Sequence, residues 1–165
     1  MVTLGQLSEA DAGALVAESV ASFIDDLVQS GVDRDVASRA TDEHMRRLIP
    51  EGVRTEGHRF RSIDDAGRRV GQLWFGPAQD SAGDFYLFEI DIHDDARGRG
   101  LGRMAMKVVI RELEQASVDR LGLHVFDSNS AAVALYESLG FETVDHGEGQ
   151  REMWRQLRDG MVPRS

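Results

Sequence analysis

Between residues 85 and 141 the chain alternates strand and helix signals twice, and the first strand turns into its helix through a bend rich in glycine and arginine. Phe85–His93 (FYLFEIDIH) sets Phe88, Ile90 and Ile92 against Glu89 and Asp91, the two-residue period of a strand with one buried face. After the turn Asp94–Arg99, a helix is predicted over about Gly100–Ala116, with Leu101, Met104, Ala105 and Val108 as its apolar stripe. Lys107 and Arg111, each four residues on from the basic residue before it, read as a solvated stripe on its other side, whereas Arg97, Arg99 and Arg103 are expected beside a ligand. Leu121–Phe126 reads as a short strand and Ser130–Leu139 as a helix, with Gly140 as a natural stop. Strand, helix, strand, helix in that order calls for parallel neighbours joined by crossover helices, hence a sheet covered by helices.

The flanking segments extend that sheet. Ser8 opens a capping-box pattern with Asp11 three residues on, ahead of helically spaced Leu15, Val16, Ser19, Val20, Phe23, Ile24 and Leu27. A second helix is predicted from about Asp33 to Leu48, stopped by Pro50 and Gly52. His58–Ile63 and Arg68–Phe75 read as strands of a hairpin about Asp64-Asp65-Ala66-Gly67, and residues 76–83 as a loop. Glu142–Val144 and Arg151–Leu157 close the chain as strands. With neither an internal repeat nor a linker of domain-separating length, the 165 residues are expected to form a single domain.

Composition removes whole classes of function. The chain has no cysteine, which excludes disulfides, thiolate metal sites and a cysteine nucleophile. A net charge of −10 argues against nucleic acid and against an anionic membrane as partners. The opening residues carry no signal-peptide pattern and no run is apolar enough to span a membrane, so the expected location is cytoplasmic. The five histidines (His44, His58, His93, His124, His146) form no helical pair, so no metal site is expected. Charge is nonetheless uneven. Arg97, Arg99, Arg103, Lys107 and Arg111 stand in a stretch without an acid, which leaves −15 on the other 150 residues. A cationic island in an acidic chain points to a small anionic ligand held in one place.

That island coincides with the glycine bend. Glycines let the backbone approach a ligand closely, and the first amides of a helix lack internal acceptors at the positive end of its dipole. Strand, glycine turn and helix start together make a phosphate cradle. The dinucleotide spacing G-x-G-x-x-G fails because Arg103 stands where its last glycine belongs, and no nucleoside-triphosphate loop is present. What stands here is Arg-x-x-Gly-x-Gly, at Arg97, Gly100 and Gly102.

This bend resembles the coenzyme A loop of the GNAT family of N-acetyltransferases. Leu123-His124-Val125-Phe126-Asp127-Ser128-Asn129, then Ala132, Leu135-Tyr136 and Leu139-Gly140-Phe141, is similar to the second signature of that family, in family order and spacing. The resemblance covers about residues 85–157 and implies an α/β (α+β) fold: a mixed, mostly antiparallel, twisted sheet of six to seven strands with about four helices. It implies acetyl-CoA as cosubstrate and a primary amine as acceptor. The pyrophosphate would lie on the amides from Gly98 to Arg103, with Arg97, Arg99, Gly100, Leu101 and Gly102 around it. The pantetheine arm would pair along Ile90, Asp91 and Ile92, and Asn129 and Ala132 would border it. Residues 1–60, with the loop Leu48–His58, would form the acceptor side, and Trp74 and Phe75 end a strand that could line the same cleft.

Direct attack by the amine needs no covalent enzyme intermediate, so positioning and carbonyl polarisation carry much of the catalysis. Tyr136 matches the family's usual acid, and a phenol is protonated at neutral pH. Asn129 can cap its helix, bond the pantetheine amide, or do both. The base departs from the family pattern: the customary positions fall on Phe88 and Tyr86. Glu89 lies on the wrong face of an ideal strand, although a bulge would reverse that parity. His124, on the neighbouring strand, and solvent are the other routes for the proton. The missing carboxylate at the customary positions also sustains a different reading, a non-catalytic acyl-CoA-binding or regulatory module. A homodimer through the final strands is compatible with either.

Overall fold

Seven strands make one mixed sheet in the computed structural model, which describes residues 1–158. They are β1 (Val2–Gln6), β2 (Arg59–Asp65), β3 (Arg68–Pro77), β4 (Phe85–Ile92), β5 (Arg120–Phe126), β6 (Glu142–Gly147) and β7 (Gln150–Gln156), in the order β1-β2-β3-β4-β5-β7-β6. β4 and β5 run parallel, whereas the pairs β3–β4, β5–β7 and β6–β7 are antiparallel. Among the described residues there are four α-helices: α1 (Glu9–Gln29), α2 (Arg34–Leu48), α3 (Leu101–Gln115) and α4 (Ser130–Ser138). None is long and apolar enough to cross a membrane.

The described residues divide into two compact units, Gln6–Phe60 and, together, residues 1–5 and 61–158. In the smaller unit the Ser8 hydroxyl caps α1 by accepting from the Asp11 amide at 3.1 Å. The Asp33 carboxylate caps α2 by accepting from the amides of Asp35 and Val36. These caps satisfy amides that a helix start leaves without partners. The two helices pack on each other.

In the larger unit the core lies between the sheet and α3 with α4. Leu101, Ala105, Met106, Val109, Ile110 and Leu113 of α3 are buried against Leu73, Phe75, Leu87, Leu121, Leu123 and Met153. The buried stripe of α3 differs from the expected one: Met104 is 47% exposed, and Met106, Val109 and Ile110 go inward instead. The helix is apolar around more than half its circumference, so the sheet and not the periodicity chooses the inward face. Lys107 and Arg111 are exposed, as expected of a solvated stripe.

The hairpin β2–β3 turns on Ala66 (φ 51°) and Gly67 (φ 85°), both left-handed, as the tightest hairpin connection requires. Strand β1 had no sequence signal: five residues with only Val2 buried are too short to show alternation. Strand β6 runs three residues past Val144, because its fully exposed face carries no apolar pattern to mark its end.

Backbone approach in the middle of the sheet depends on Gly71, paired with Ile92. A Cβ there would lie 2.2 Å from the Asp91 carbonyl oxygen and 3.1 Å from the Ile92 Cα. Gly71→Ala is expected to cost about 1–3 kcal/mol, read as a lowered urea midpoint. Gly13→Ala, with nothing within 4 Å of the added Cβ on α1, should instead gain about 0.5–1 kcal/mol.

Candidate active site

The parallel ladder of β4 and β5 has three rungs, Phe85–Leu121, Tyr86–Gly122 and Leu87–Leu123. Both strands continue, to Ile92 and Phe126, but among the described residues no further rung joins them. At the same point β4 slips against β3: Trp74 faces Glu89 while Phe75 faces Leu87, so Phe88 is an extra residue in β4. An extra residue bends its strand and sharpens the local twist, which carries β4 away from β5. A fork opens toward the carboxyl ends of the two strands.

The sequence-predicted residues gather around that fork. Glu89 and His124 stand just past the last rung, one on each arm. The bulge changes the parity of β4 below it, so that Leu87 and Phe85 join the core. Above it Ile90 and Ile92 pack against the same core, and Glu89, paired with Trp74, alternates to the side opposite them. Tyr136, on α4, is 6% exposed, with its ring edge-on to Phe141 at 5.7 Å between centroids. Burial first, and the negative field of Glu89 second, push its phenol up to about 12. It is therefore a packed, protonated tyrosine at neutral pH with a carboxylate in electrostatic reach. His124 is exposed, its ring edge-on to Phe126 at 5.5 Å.

Both helices that follow the arms begin at the fork's open end. Gly98 and Gly100 have φ of 78° and 76°, and Gly100 starts α3 without any side-chain cap. Gly102 has no comparable backbone requirement. A Cβ there would meet only Ile92 Cγ1 at 3.8 Å and Leu135 Cδ2 at 3.9 Å, ordinary contacts. Asn129 caps α4 by accepting from the Ala132 amide at 3.2 Å, which leaves its own amide hydrogens available.

Each of the three arginines of the bend has a partner within the protein. The Arg97 guanidinium donates to the Ile92 carbonyl at 3.0 Å and pairs with Asp94 at 2.8 Å, bracing the turn it opens. Arg99 pairs with Asp65 at 2.9 Å, and Arg103 donates to the Ser138 hydroxyl at 2.6 Å, tying the start of α3 to the end of α4. These bonds let the arginines hold the loop's shape. One positioning network was missed. Asp127, at the end of β5, accepts from Arg151 at 2.8 Å and lies 2.7 Å from His146, anchoring the β6–β7 hairpin to the loop that carries Asn129. These two partners, His146 first, hold the Asp127 carboxyl below its usual range. Its members lie 19 and 24 residues apart, a distance that no local motif spans.

Of the aromatic residues expected near the cleft, Phe75 is a core residue and Trp74 is buried with its ring 4.8 Å from Phe88. The loop Leu48–His58 belongs to the smaller unit and contains a 3₁₀ turn, Gly52–Arg54.

Residues 25–141 match the model of the acetyltransferase (GNAT) family. Over 142 residues, 84% of this chain and 90% of the relative, the sequence is 28% identical to YdgE of Bacillus subtilis, an uncharacterized N-acetyltransferase. A 55-residue stretch, 33% of this chain and 37% of the relative, is 54% identical to the [ribosomal protein bS18]-alanine N-acetyltransferase of Salmonella typhimurium. The PaiA N-acetyltransferase of Thermoplasma acidophilum, solved in complex with coenzyme A, superposes with a TM-score of 0.63 at 15% identity, covering 94% of this chain and 99% of that one. The chain belongs to the GNAT family and is an acyltransferase with its fold.

The protein has only two tyrosines, and both phenols are raised. Burial, with Glu152 adding, carries Tyr86 well above the usual phenol range, as burial and Glu89 do for Tyr136. Absorbance at 295 nm should show no ionisation step near pH 10 in the folded protein, and two phenols titrating there in urea. Because the folded values are the higher ones, the stability they contribute is complete below pH 10 and is lost as pH climbs through about 12.

Proposed function

We propose that this chain moves an acetyl group from acetyl-CoA to a primary amine, with both bound together at the fork. The observation that carries the reading is the early end of the β4–β5 ladder, with the uncapped start of α3 immediately beyond it. The amides from Gly98 to Arg103 hold the pyrophosphate, assisted by the helix dipole. The pantetheine arm pairs along Ile90, Asp91 and Ile92, as a further strand would, with Asn129 and Ala132 at its side. Such a path brings the thioester carbonyl to Glu89, His124 and Tyr136. The coenzyme A complex of the PaiA neighbour supports coenzyme A as the group that this fold accommodates.

The acceptor nitrogen, once deprotonated, adds to the thioester carbonyl. As the tetrahedral intermediate collapses, the carbon–sulfur bond breaks and the new carbon–nitrogen bond remains. The amine's proton leaves to Glu89 or His124, the two groups set just beyond the last rung, and Tyr136 returns a proton to the departing thiolate. Holding both reactants in register supplies the larger share of the rate.

Two experiments test this reading. Coenzyme A at 100 times its Kd should stabilise the protein by about 2.7 kcal/mol, seen as a melting shift. Gly102→Val should keep the fold yet lose most of that shift, because the added methyls enter the space bounded by Ile92 and Leu135. Unchanged coenzyme A binding in this variant would remove the loop from the site. For the chemistry, Tyr136→Phe should lower kcat about 10²-fold, measured as free-thiol release, with the coenzyme A melting shift intact. Glu89→Gln and His124→Gln assayed in parallel identify the base as the one whose loss lowers kcat to a similar extent.

A further inference from the structure

The sheet surface opposite the α3–α4 core carries a row of rings. Leu121, Leu123 and Val125 of β5 point into that core, so Gly122, His124 and Phe126 alternate to the other face. On that face Phe88 lies 5.4 Å from Tyr86, and Tyr86 lies 5.8 Å, edge-on, from Trp154. The indole of Trp154 lies flat across Gly122, where a Cβ would come within 2.7 Å of its ring atoms.

Two charged groups stand among these rings: the Arg120 guanidinium lies over the Trp154 ring, 4.5 Å from its centroid, and Glu152 stands near Tyr86. Glu152, half-buried on β7, is directly across from His124, and its Oε1 accepts from Trp154 Nε1 at 2.7 Å. Among the described residues no cation pairs with it. The neighbouring arginines are engaged elsewhere: Arg120 with Asp84 at 2.7 Å, Arg151 with Asp127, and Arg155 with the Leu139 carbonyl at 2.7 Å. A half-buried carboxylate beside aromatic rings pays for its lost hydration unless a cation joins it, and rings and carboxylate together recognise cations. Its field also reaches the Tyr86 phenol.

Position then decides which cation it is. Glu152 stands one strand beyond His124, which places its carboxylate on the order of 5–10 Å from the fork, given strands about 4.8 Å apart. The nitrogen that attacks at the fork must be uncharged, so the positive charge at Glu152 belongs to a second group of the same molecule. We infer that the acceptor carries two cationic nitrogens, one acetylated at the fork and the other held by Glu152 beside the Tyr86 ring. This inference rests on the acetyl transfer proposed above.

The test compares 1,5-diaminopentane with 1-aminopentane, on the wild-type chain and on Glu152→Gln, by free-thiol release and by calorimetric titration of each amine in the presence of coenzyme A. Glutamine retains an oxygen to accept from Trp154 Nε1, and an unchanged melting shift with coenzyme A certifies the fold. In the wild type, kcat/KM for the diamine should exceed that for the monoamine at least tenfold, mostly through KM, as loss of a hydrogen bond to a charged group would give. In Glu152→Gln that ratio should fall to about one. Equal use of both amines by the wild type, or a diamine preference that survives the substitution, overturns the inference while acetyl transfer stands. If neither amine is turned over but the diamine binds wild type at least tenfold tighter than Glu152→Gln, the cation site stands and the transfer reading falls. No turnover and no difference in binding overturn both.

Discussion

Parallel neighbours β4 and β5 share three rungs, and their ladder stops beside the extra residue Phe88. A β-sheet satisfies its backbone groups by staying paired, so strands that part inside a sheet need another partner along their facing edges. Everything assigned to chemistry here is arranged about that parting. The bulge returns Ile90 and Ile92 to the core side and sets Glu89 past the last rung, while β5 sets His124 opposite. Because α3 and α4 follow β4 and β5 directly, their amino ends and the two glycines of the bend reach the open end of the fork. Parallel strands followed by helices place ligands at the carboxyl edge for this reason.

Electrostatics in this site works through groups that are held, more than through free charge. The island of arginines in an acidic chain looks like an anion trap, yet Arg97, Arg99 and Arg103 spend their guanidiniums on Ile92, Asp65 and Ser138. Their contribution is rigidity: each bond fixes a piece of the bend. Tyr136 is governed likewise by its surroundings. Packed against Phe141 and near the Glu89 charge, its phenol stays protonated far above neutral pH, the state that a proton donor must occupy. The Asp127–His146–Arg151 cluster extends the same design to the edge of the sheet, where it steadies the loop leading into α4.

Most elements were legible from local patterns because their causes are local. Ser8 and Asp33 announce their helices, Ala66-Gly67 announces its hairpin, and Arg97–Arg103 followed by Ser128–Phe141 carries the family's signature at its own spacing. What local patterns left out was decided by neighbours distant in the chain. Strand β1 exists through its place at the edge of the sheet, the inward face of α3 was chosen by the sheet beneath it, and β6 owes its length to pairing with β7.

Glycines at 98, 100 and 102, a tyrosine seven residues after Asn129 and an acidic chain with a basic bend are properties of the string of residues. They point to a phosphate-bearing ligand and supply a phenol that is protonated at neutral pH, since backbone freedom and side-chain chemistry travel with the residue. Where the proton acceptors stand was not determined at that level. Which residues of β4 share a side with Glu89 depends on a register slip against β3, and which partners surround Glu152 depends on which acids its neighbouring arginines claim. Both are outcomes of pairing between strands, and pairing energies belong to the assembled sheet, not to any one segment of it.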